Sequence, residues 1–416
     1  MPPKSAVLIK HSLAPWISVP VGAIDFYKSA FDATEVYHHD DPGGGVVVRL
    51  SVNGAEFWLS QESPDSPSTP EPIGGGMIRL ILTVPNPDEV FDRAVKAGAK
   101  EVYPVSEGHG WRVGHISDFQ AMTGCTAILC EAGAVGGVDI RGSASGTQET
   151  PTLDPLHVDP VVHGILLAGG SAFGLEAAAG VRRYLESRGA GVQTPAARVP
   201  IVPAAILYDL GIGNAKIRPT VAMGEAAAAA ATTDPVPEGC VGAGTGATVG
   251  KALGMKQAMK SGIGSYTVSM PGGVIVSSLV AVNAFGDVRD PATGKIVAGA
   301  RKSSESREFA DGNEIVKQAA PPPLVRTNTT LAVVATNARL SKVEATKLAQ
   351  FASLGMARAI YPVNTTNDGD TTFALSLGDR RADINSLGVG AAEAVVQAIL
   401  RAVRLAKTLG GVPGLG

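Results

Sequence analysis

Apolar and polar positions alternate most clearly near the start of the chain. In GVVVRLSVNGAEFWLS, Gly45 to Ser60, every second residue is apolar on both sides of Asn53-Gly54, the residue pair that favours a type I′ turn. This pattern predicts a hairpin. Upstream, AVLIKHSL predicts a strand, VGAIDFYKSAF a helix and TEVYHH a second strand. After a loop rich in Ser and Pro, QESPDSPSTPEP, the pattern starts again with a strand (MIRLILTV) and a helix (PDEVFDRAVKAG). The same strand-helix unit is thus written twice before about Gly110.

Beyond Arg112 the text becomes rich in Gly and Ala and its apolar runs lengthen. MTGCTAILCEAGAVGGVDIRG predicts a strand, a turn and a second strand. HGILLAGGSAFGLEAAAGVRRYLESRG predicts a strand, a glycine turn and a helix capped by Ser171. GVIVSSLVAVNAFGDV and TLAVVATNARL read as further strands. The segment SKVEATKLAQFASLGMARAI opens with Ser341 and Glu344 in capping-box spacing, and GVGAAEAVVQAILRAVRLAKTL reads as a last helix. Strands apolar on both faces, mixed with helices, predict layered sheets covered by helices.

Composition narrows the partners. The 416 residues suffice for two or three domains, and 45% hydrophobic with 18% charged residues is ordinary for a globular protein. A net charge of -3 predicts no broad basic surface, so nucleic acid and acidic membranes are not expected partners. The apolar run Gly273 to Phe285 is shorter than the roughly 18 residues of a membrane span, and the start lacks a signal-peptide core. Cys125, Cys130 and Cys240 form no CxxC pair, which fits free thiols in a cytoplasmic protein.

Three motifs carry no weight. GAGTGATVGK, ending at Lys251, lacks phosphate-loop spacing, and Phe173 stands where the second glycine of an elbow around Ser171 belongs. The Asn-Thr-Thr triplets at Asn328 and Asn364 match a glycosylation acceptor only formally.

RTNTTLAVVATNARL, Arg326 to Leu340, follows the cluster Pro321 to Pro323 and raises a choice. It is either a turn into a strand or a cleavage point. A threonine at a new amino terminus would carry its own base, an α-amine of pKa roughly 7.7 to 8. For Thr329 this requires scission after Asn328. Asp368 and Asp370, in DGD, are close enough in sequence to face one centre, where mutual repulsion would raise one pKa unless a cation is near.

The texts AIDFYKSAF and FDRAVKAGAKEVYPV resemble the glyoxalase, or vicinal-oxygen-chelate, superfamily. That implies an incomplete βαβββ-type domain over 1–110. Its metal candidates, His11 and Gln61, form no convincing ligand set. From Arg112 on, six segments in order resemble the DmpA-type self-processing hydrolases, which include L-aminopeptidase/D-esterases, β-aminopeptidases and the nylon-oligomer hydrolase. They are TGCTAILCEAGAVGGVDIRGSASGT, LAGGSAFGLEAAAGVRRYLE, VPIVPAAILYDL, GAGTGATVGK, NTTLAVVATNARLS and DGDTTFALS.

The resemblance implies an α+β fold over 111–416, an αββα sandwich of the N-terminal-nucleophile type, cut between Asn328 and Thr329. It implies Thr329 as nucleophile, Asp368 and Asp370 as paired carboxylates and Lys251 as the active-site lysine. Tyr208 and Asn283 match positions that bind or polarise the scissile carbonyl. Asn364 stands where relatives with an Asn-Thr junction carry histidine, which places it in the substrate pocket. No metal or cofactor is expected, the partner is a small peptide or amide, and four αβ units are expected to assemble. Peptides, β-amino acid amides, D-amino acid esters and aminohexanoate oligomers all fit. The competing expectations are a small-ligand-binding protein that uses the glyoxalase-like region, and a metal-dependent lyase or dioxygenase.

Overall fold

A computed structural model describes residues 16–19, 23–40, 46–61, 93–97, 111–159, 161–318 and 327–416. The chain divides into two compact units, Met1–Glu107 and Gly108–Gly416. His11, the strand expected over MIRLILTV, the prolines 321–323 and Arg326 lie outside the described residues.

In the first unit, β1 (Trp16–Val19), α1 (Ala23–Phe31), β2 (Thr34–Asp40), β3 (Val46–Val52) and β4 (Ala55–Gln61) follow in order. The sheet order is β1-β4-β3-β2, with β1 parallel to β4 and the other pairs antiparallel. Asn53 and Gly54 both have positive φ, 50° and 87°, as the I′ hairpin requires. The alternation puts Val48, Leu50, Val52, Phe57 and Leu59 on one face, where Tyr27 and Phe31 of α1 cover them.

The second unit is built on β5 (Arg112–Asp118), β6 (Thr123–Ile140), β7 (Gly146–Gln148), β8 (Val162–Ala168), α2 (Ala177–Ser187), β9 (Ala204–Ile206) and α3 (Val221–Ala229). Then come β10 (Thr248–Val249), β11 (Met259–Lys260), β12 (Ile263–Met270), β13 (Val274–Asn283), β14 (Thr329–Ala338), α4 (Lys342–Ala359), β15 (Thr371–Arg380) and α5 (Ile384–Arg404). Nine strands join in the order β12-β13-β14-β15-β6-β8-β9-β7, with β5 also on β6.

The strand, turn and strand expected over residues 122–142 are in fact one 18-residue strand, β6. Its register shifts between Leu129 and Ala134, and Gly133 has φ 92°. The first half of β6 pairs with β5 and β8, the second half with β15. A hairpin would need the halves to pair with each other. Here each finds a different partner, so the glycine-rich middle becomes a bulge rather than a reversal.

That bulge lets two halves of the sheet face each other. Ile128, Ile165 and Leu167 from one half meet Leu279, Leu331, Val333 and Phe373 from the other in a shared core. On the far face of one half, Leu348 and Met356 of α4 and Val395 and Ile399 of α5 cover Val276, Val280 and Val334. On the far face of the other, Val181, Leu185 and Ala227 of α2 and α3 cover Leu129 and Leu166. The layers are therefore helix, sheet, sheet, helix. Burying each Val, Leu or Phe contributes roughly 1.5–3 kcal/mol, which makes these three clusters the main source of stability.

Local signals explain the helix ends. Ser341 accepts from Glu344 N while Glu344 Oε2 accepts from Ser341 N at 2.8 Å, which completes the capping box. Ser171 caps nothing. It lies in the left-handed region at φ 54°, opening a short 3-10 turn, and its N–H donates to Leu207 O, so the helix starts only at Ala177. The helix α5 has the length and apolar character of a membrane span, but it is mostly buried against β12 and β13 in the manner of a core helix.

Candidate active site

Three strand ends meet at one edge of the sandwich. β14 begins at Thr329, paired with Asn283 at the end of β13, and β15 begins just after the DGD loop. Asn328 forms a single parallel bridge with Asp368. Backbone pairing alone therefore brings the Asn-Thr junction, Asn283 and the two carboxylates together.

In the uncut chain Thr329 is 2% exposed and its Oγ1 lies 2.5 Å from the carbonyl oxygen of Asn328. That oxygen also accepts Gly369 N–H at 2.8 Å. The hydroxyl thus rests against a carbonyl that a backbone donor polarises. Gly369 is required for this approach, because a Cβ there would stand 2.8 Å from Thr329 Oγ1 and 2.7 Å from Ala144 O.

The carboxylates are held by donors from several directions. Asp370 accepts Thr330 N–H at 2.6 Å and Asn364 N–H at 2.9 Å. Asp368 accepts Phe285 N–H at 3.1 Å, and both the N–H and the hydroxyl of Thr365. Burial, and then repulsion from Asp368, raises Asp370 to about 7. Burial also raises Asp368, opposed by the hydrogen bonds from Thr365 and Phe285 and by the charge of Lys251.

Lys251 lies close enough for its charge, when protonated, to act on both carboxylates. Its Nζ donates to Asn283 Oδ1 at 2.7 Å and to Asn283 O at 3.1 Å. Burial lowers it to about 7, against the attraction of Asp368. A neutral amine has two N–H groups and one lone pair. With both N–H groups on Asn283, that lone pair stays available.

Asn283 is the hub. Its Oδ1 accepts from Lys251 and from Thr248 N–H at 3.1 Å, and its Nδ2 donates to Tyr208 O at 2.9 Å and Thr327 O at 3.4 Å. Neither Asn283 nor Tyr208 therefore binds the Asn328 carbonyl in the uncut chain; Gly369 does. A cavity of about 160 Å³ lies alongside, lined by Tyr208, Asp209, Ile212, Thr248, Lys251, Met255 and Thr327 among others.

Thr329, Asn328, Asp368, Asp370, Lys251 and Asn283 thus converge as the sequence predicts. Tyr208 reaches the group through its backbone carbonyl and lines the cavity. Asn364 contributes its backbone N–H from a left-handed conformation, φ 54°, which asparagine tolerates well, and it does not line this cavity. Sequence reasoning missed Gly369, Thr365, Phe285, Asp209 and Lys260. Most of these act through backbone groups or from distant strands, so no local spacing marks them. Among the described residues no group of three or more His, Cys, Asp or Glu side chains is placed to hold a metal ion.

The model of Peptidase family S58 matches residues 106–415. A protein named as an uncharacterized aminopeptidase in Mycobacterium leprae is 38% identical over 317 residues, 70% of this chain and 84% of that protein. The 6-aminohexanoate-oligomer endohydrolase of Kocuria sp. is 32% identical over 311 residues, 71% of this chain and 84% of that enzyme. Among solved structures, the β-aminopeptidase of Burkholderia sp. superposes with TM-score 0.52 at 23% identity, covering 74% of this chain and 89% of that one. The L-aminopeptidase D-Ala-esterase/amidase of Ochrobactrum anthropi, described as a variant of the Ntn hydrolase fold, gives TM-score 0.55 at 20% identity, covering 73% and 86%. The chain belongs to peptidase family S58 and has the Ntn-hydrolase-like α+β fold.

Proposed function

We propose that this member of peptidase family S58 hydrolyses amide bonds with Thr329, after cutting its own chain between Asn328 and Thr329. The observation that carries the reading is the contact of Thr329 Oγ1 with the Asn328 carbonyl while Gly369 N–H holds the same oxygen. In the first step Oγ1 attacks the carbonyl carbon and gives its proton to the lone pair of Lys251. That proton passes to the leaving nitrogen of Thr329 as the peptide bond breaks. An ester between Asn328 and Thr329 Oγ1 remains, and water hydrolyses it.

The freed α-amine then serves as base for the neighbouring hydroxyl. A substrate amide is attacked, its amine departs with the proton, and water releases the acyl group. The buried Asp368 and Asp370 hold the loop that carries Gly369, and so keep the oxyanion donor in place. Such a donor typically contributes about 2.7 to 4 kcal/mol to transition-state stabilisation.

The substrates are small peptides or amides, since the relatives include a named aminopeptidase and an aminohexanoate-oligomer endohydrolase. The cavity walls add Ile212 and Met255 to the ionisable Asp209 and Lys251, a mixture suited to a short chain with one polar end. Residue 364 acts on the site through its backbone N–H, which Asp370 accepts. A cytoplasmic location is supported by the free thiols of Cys125 and Cys130, and assembly of four αβ units by the family resemblance alone. The order β1, α1, β2, β3, β4 supports a glyoxalase-like reading of the first unit as an accessory module.

Intact mass and a denaturing gel of purified protein test the proposal. Wild type is expected as two chains, one ending at Asn328 and one beginning at Thr329, and Thr329→Ala as one chain of 42.3 kDa. Amide hydrolysis by material whose 328–329 bond is intact overturns it.

A further inference from the structure

The fully buried Lys260 makes none of the hydrogen bonds described so far. It is 0% exposed and among the largest fully buried side chains of the described residues. Burial of a lysine is costly unless its ammonium group is satisfied. Here Nζ donates to Ser261 O at 2.7 Å, Ala247 O at 2.8 Å and Gly244 O at 3.3 Å, so all three of its donors are used.

Two of those carbonyls belong to the glycine-rich segment Gly242 to Lys251. This segment delivers Thr248 N–H and Lys251 Nζ to Asn283 Oδ1. Its first half turns on itself, with Thr245 N–H on Gly242 O and Ala247 N–H on Gly244 O, but its second half is β10, a two-residue strand whose partner is β11, with Thr248 opposite Lys260. Gly246 in its middle packs on Asp209, where a Cβ would stand 2.6 Å from Asp209 Cβ. Asp209 is itself fixed by Thr123 Oγ1 and Gly170 N–H, each at 2.7 Å. The segment therefore runs between a buried carboxylate and a buried ammonium group.

We infer that Lys260 is a positioning residue: by binding the carbonyls of Gly244, Ala247 and Ser261 it fixes the glycine-rich segment so that Thr248 and Lys251 meet Asn283. The inference rests on the reading that Lys251 serves the reaction of Thr329. Electrostatics gives it a second signature. The titratable groups acting on Lys251 are Asp368, Asp370, Asp209 and Lys260, and those acting on Lys260 are Cys240 and Asp209. Of these, Lys260 lowers the affinity of Lys251 for its proton. Removing that cation raises the pKa of Lys251, which then stays charged to higher pH.

Lys260→Met keeps the length of the stem and removes the donors, while Lys260→Gln keeps two N–H groups. Self-cleavage of each full chain is followed by gel across pH, with far-UV circular dichroism as the check on folding. The chain is its own substrate, so no assumption about the natural substrate enters. Lys260→Met is expected to cleave about 10²-fold more slowly at neutral pH, the cost of a displacement near 1 Å. Its pH midpoint is expected to move upward, and Lys260→Gln to fall between Met and wild type. A folded Lys260→Met that cleaves at the wild-type rate with an unmoved midpoint overturns the inference. So does loss of folding in both variants, which would assign Lys260 to stability. Absence of cleavage in wild type instead overturns the parent reading of Thr329.

Discussion

The two compact units differ in how they handle charge: both carry exposed ion pairs, but among the described residues only the second buries charged side chains. In the first, charged side chains sit at the surface in pairs such as Lys28 with Glu35 at 2.5 Å and Arg49 with Glu56 at 3.5 Å, around a small core of one helix and one sheet. In the second, Lys251, Lys260, Asp209, Asp368 and Asp370 are buried, held by backbone donors and carbonyls and by hydroxyl and amide side chains. Exposed pairs contribute little to stability and nothing specific to chemistry. Buried groups cost free energy and have shifted pKa values, and that combination marks where reactions are arranged. The contrast separates scaffold from site without reference to any relative.

Substitutions can break the contrast, and the largest effect is expected at its centre. Thr329→Ala should abolish both self-cleavage and amide hydrolysis, a loss on the order of 10⁴ to 10⁶. A gel and a colorimetric aminoacyl-anilide assay read it. Gly369→Ala should come next, because the added methyl meets Ala144 O and Thr329 Oγ1 and displaces the N–H from the Asn328 carbonyl. The expected cost is about 10² to 10³ in the rate of self-cleavage, seen in a time course of chain separation. Asp370→Asn removes the anion that accepts Thr330 N–H and Asn364 N–H, and should slow cleavage about tenfold to a hundredfold in the same time course.

The pH dependence sharpens the contrast further. Lys251 is lowered to about 7 by burial and must be neutral to accept the threonine proton, so self-cleavage should rise as pH increases through about 7. Lys251→Met should remove that limb along with most of the rate. At the other extreme, Lys28→Ala in the first unit should leave cleavage unchanged and lower stability by about 0.2 to 1 kcal/mol, measured by thermal or urea melts. A large effect of Lys28→Ala on cleavage would erase the division between scaffold and site.

Where the signal was local, the sequence was a good guide. Alternation and Asn53-Gly54 located the first hairpin, and Ser341 with Glu344 located a helix start, because both depend on residues a few positions apart. The convergence of Thr329, Asp368, Asp370, Lys251 and Asn283 was readable only through family resemblance, since 32 positions separate Lys251 from Asn283, 40 separate Thr330 from Asp370 and 83 separate Phe285 from Asp368. Long-range pairing also explains the errors. The bulge at Gly133 looks like a turn until β8 and β15 claim different halves of β6, and Ser171 looks like a cap until Leu207 takes its N–H. Gly369 and Lys260 act on backbone groups, and residue identity says nothing about where those groups lie.

The bond from Gly369 N–H to the Asn328 carbonyl ties together two points of the chain that are translated at different times. While the residues before 370 are still being added, the donor for the junction has not yet been made. If the proposed self-cleavage needs that donor, cutting waits until synthesis has passed Gly369 and the sheet has closed, and a copy truncated before it stays whole.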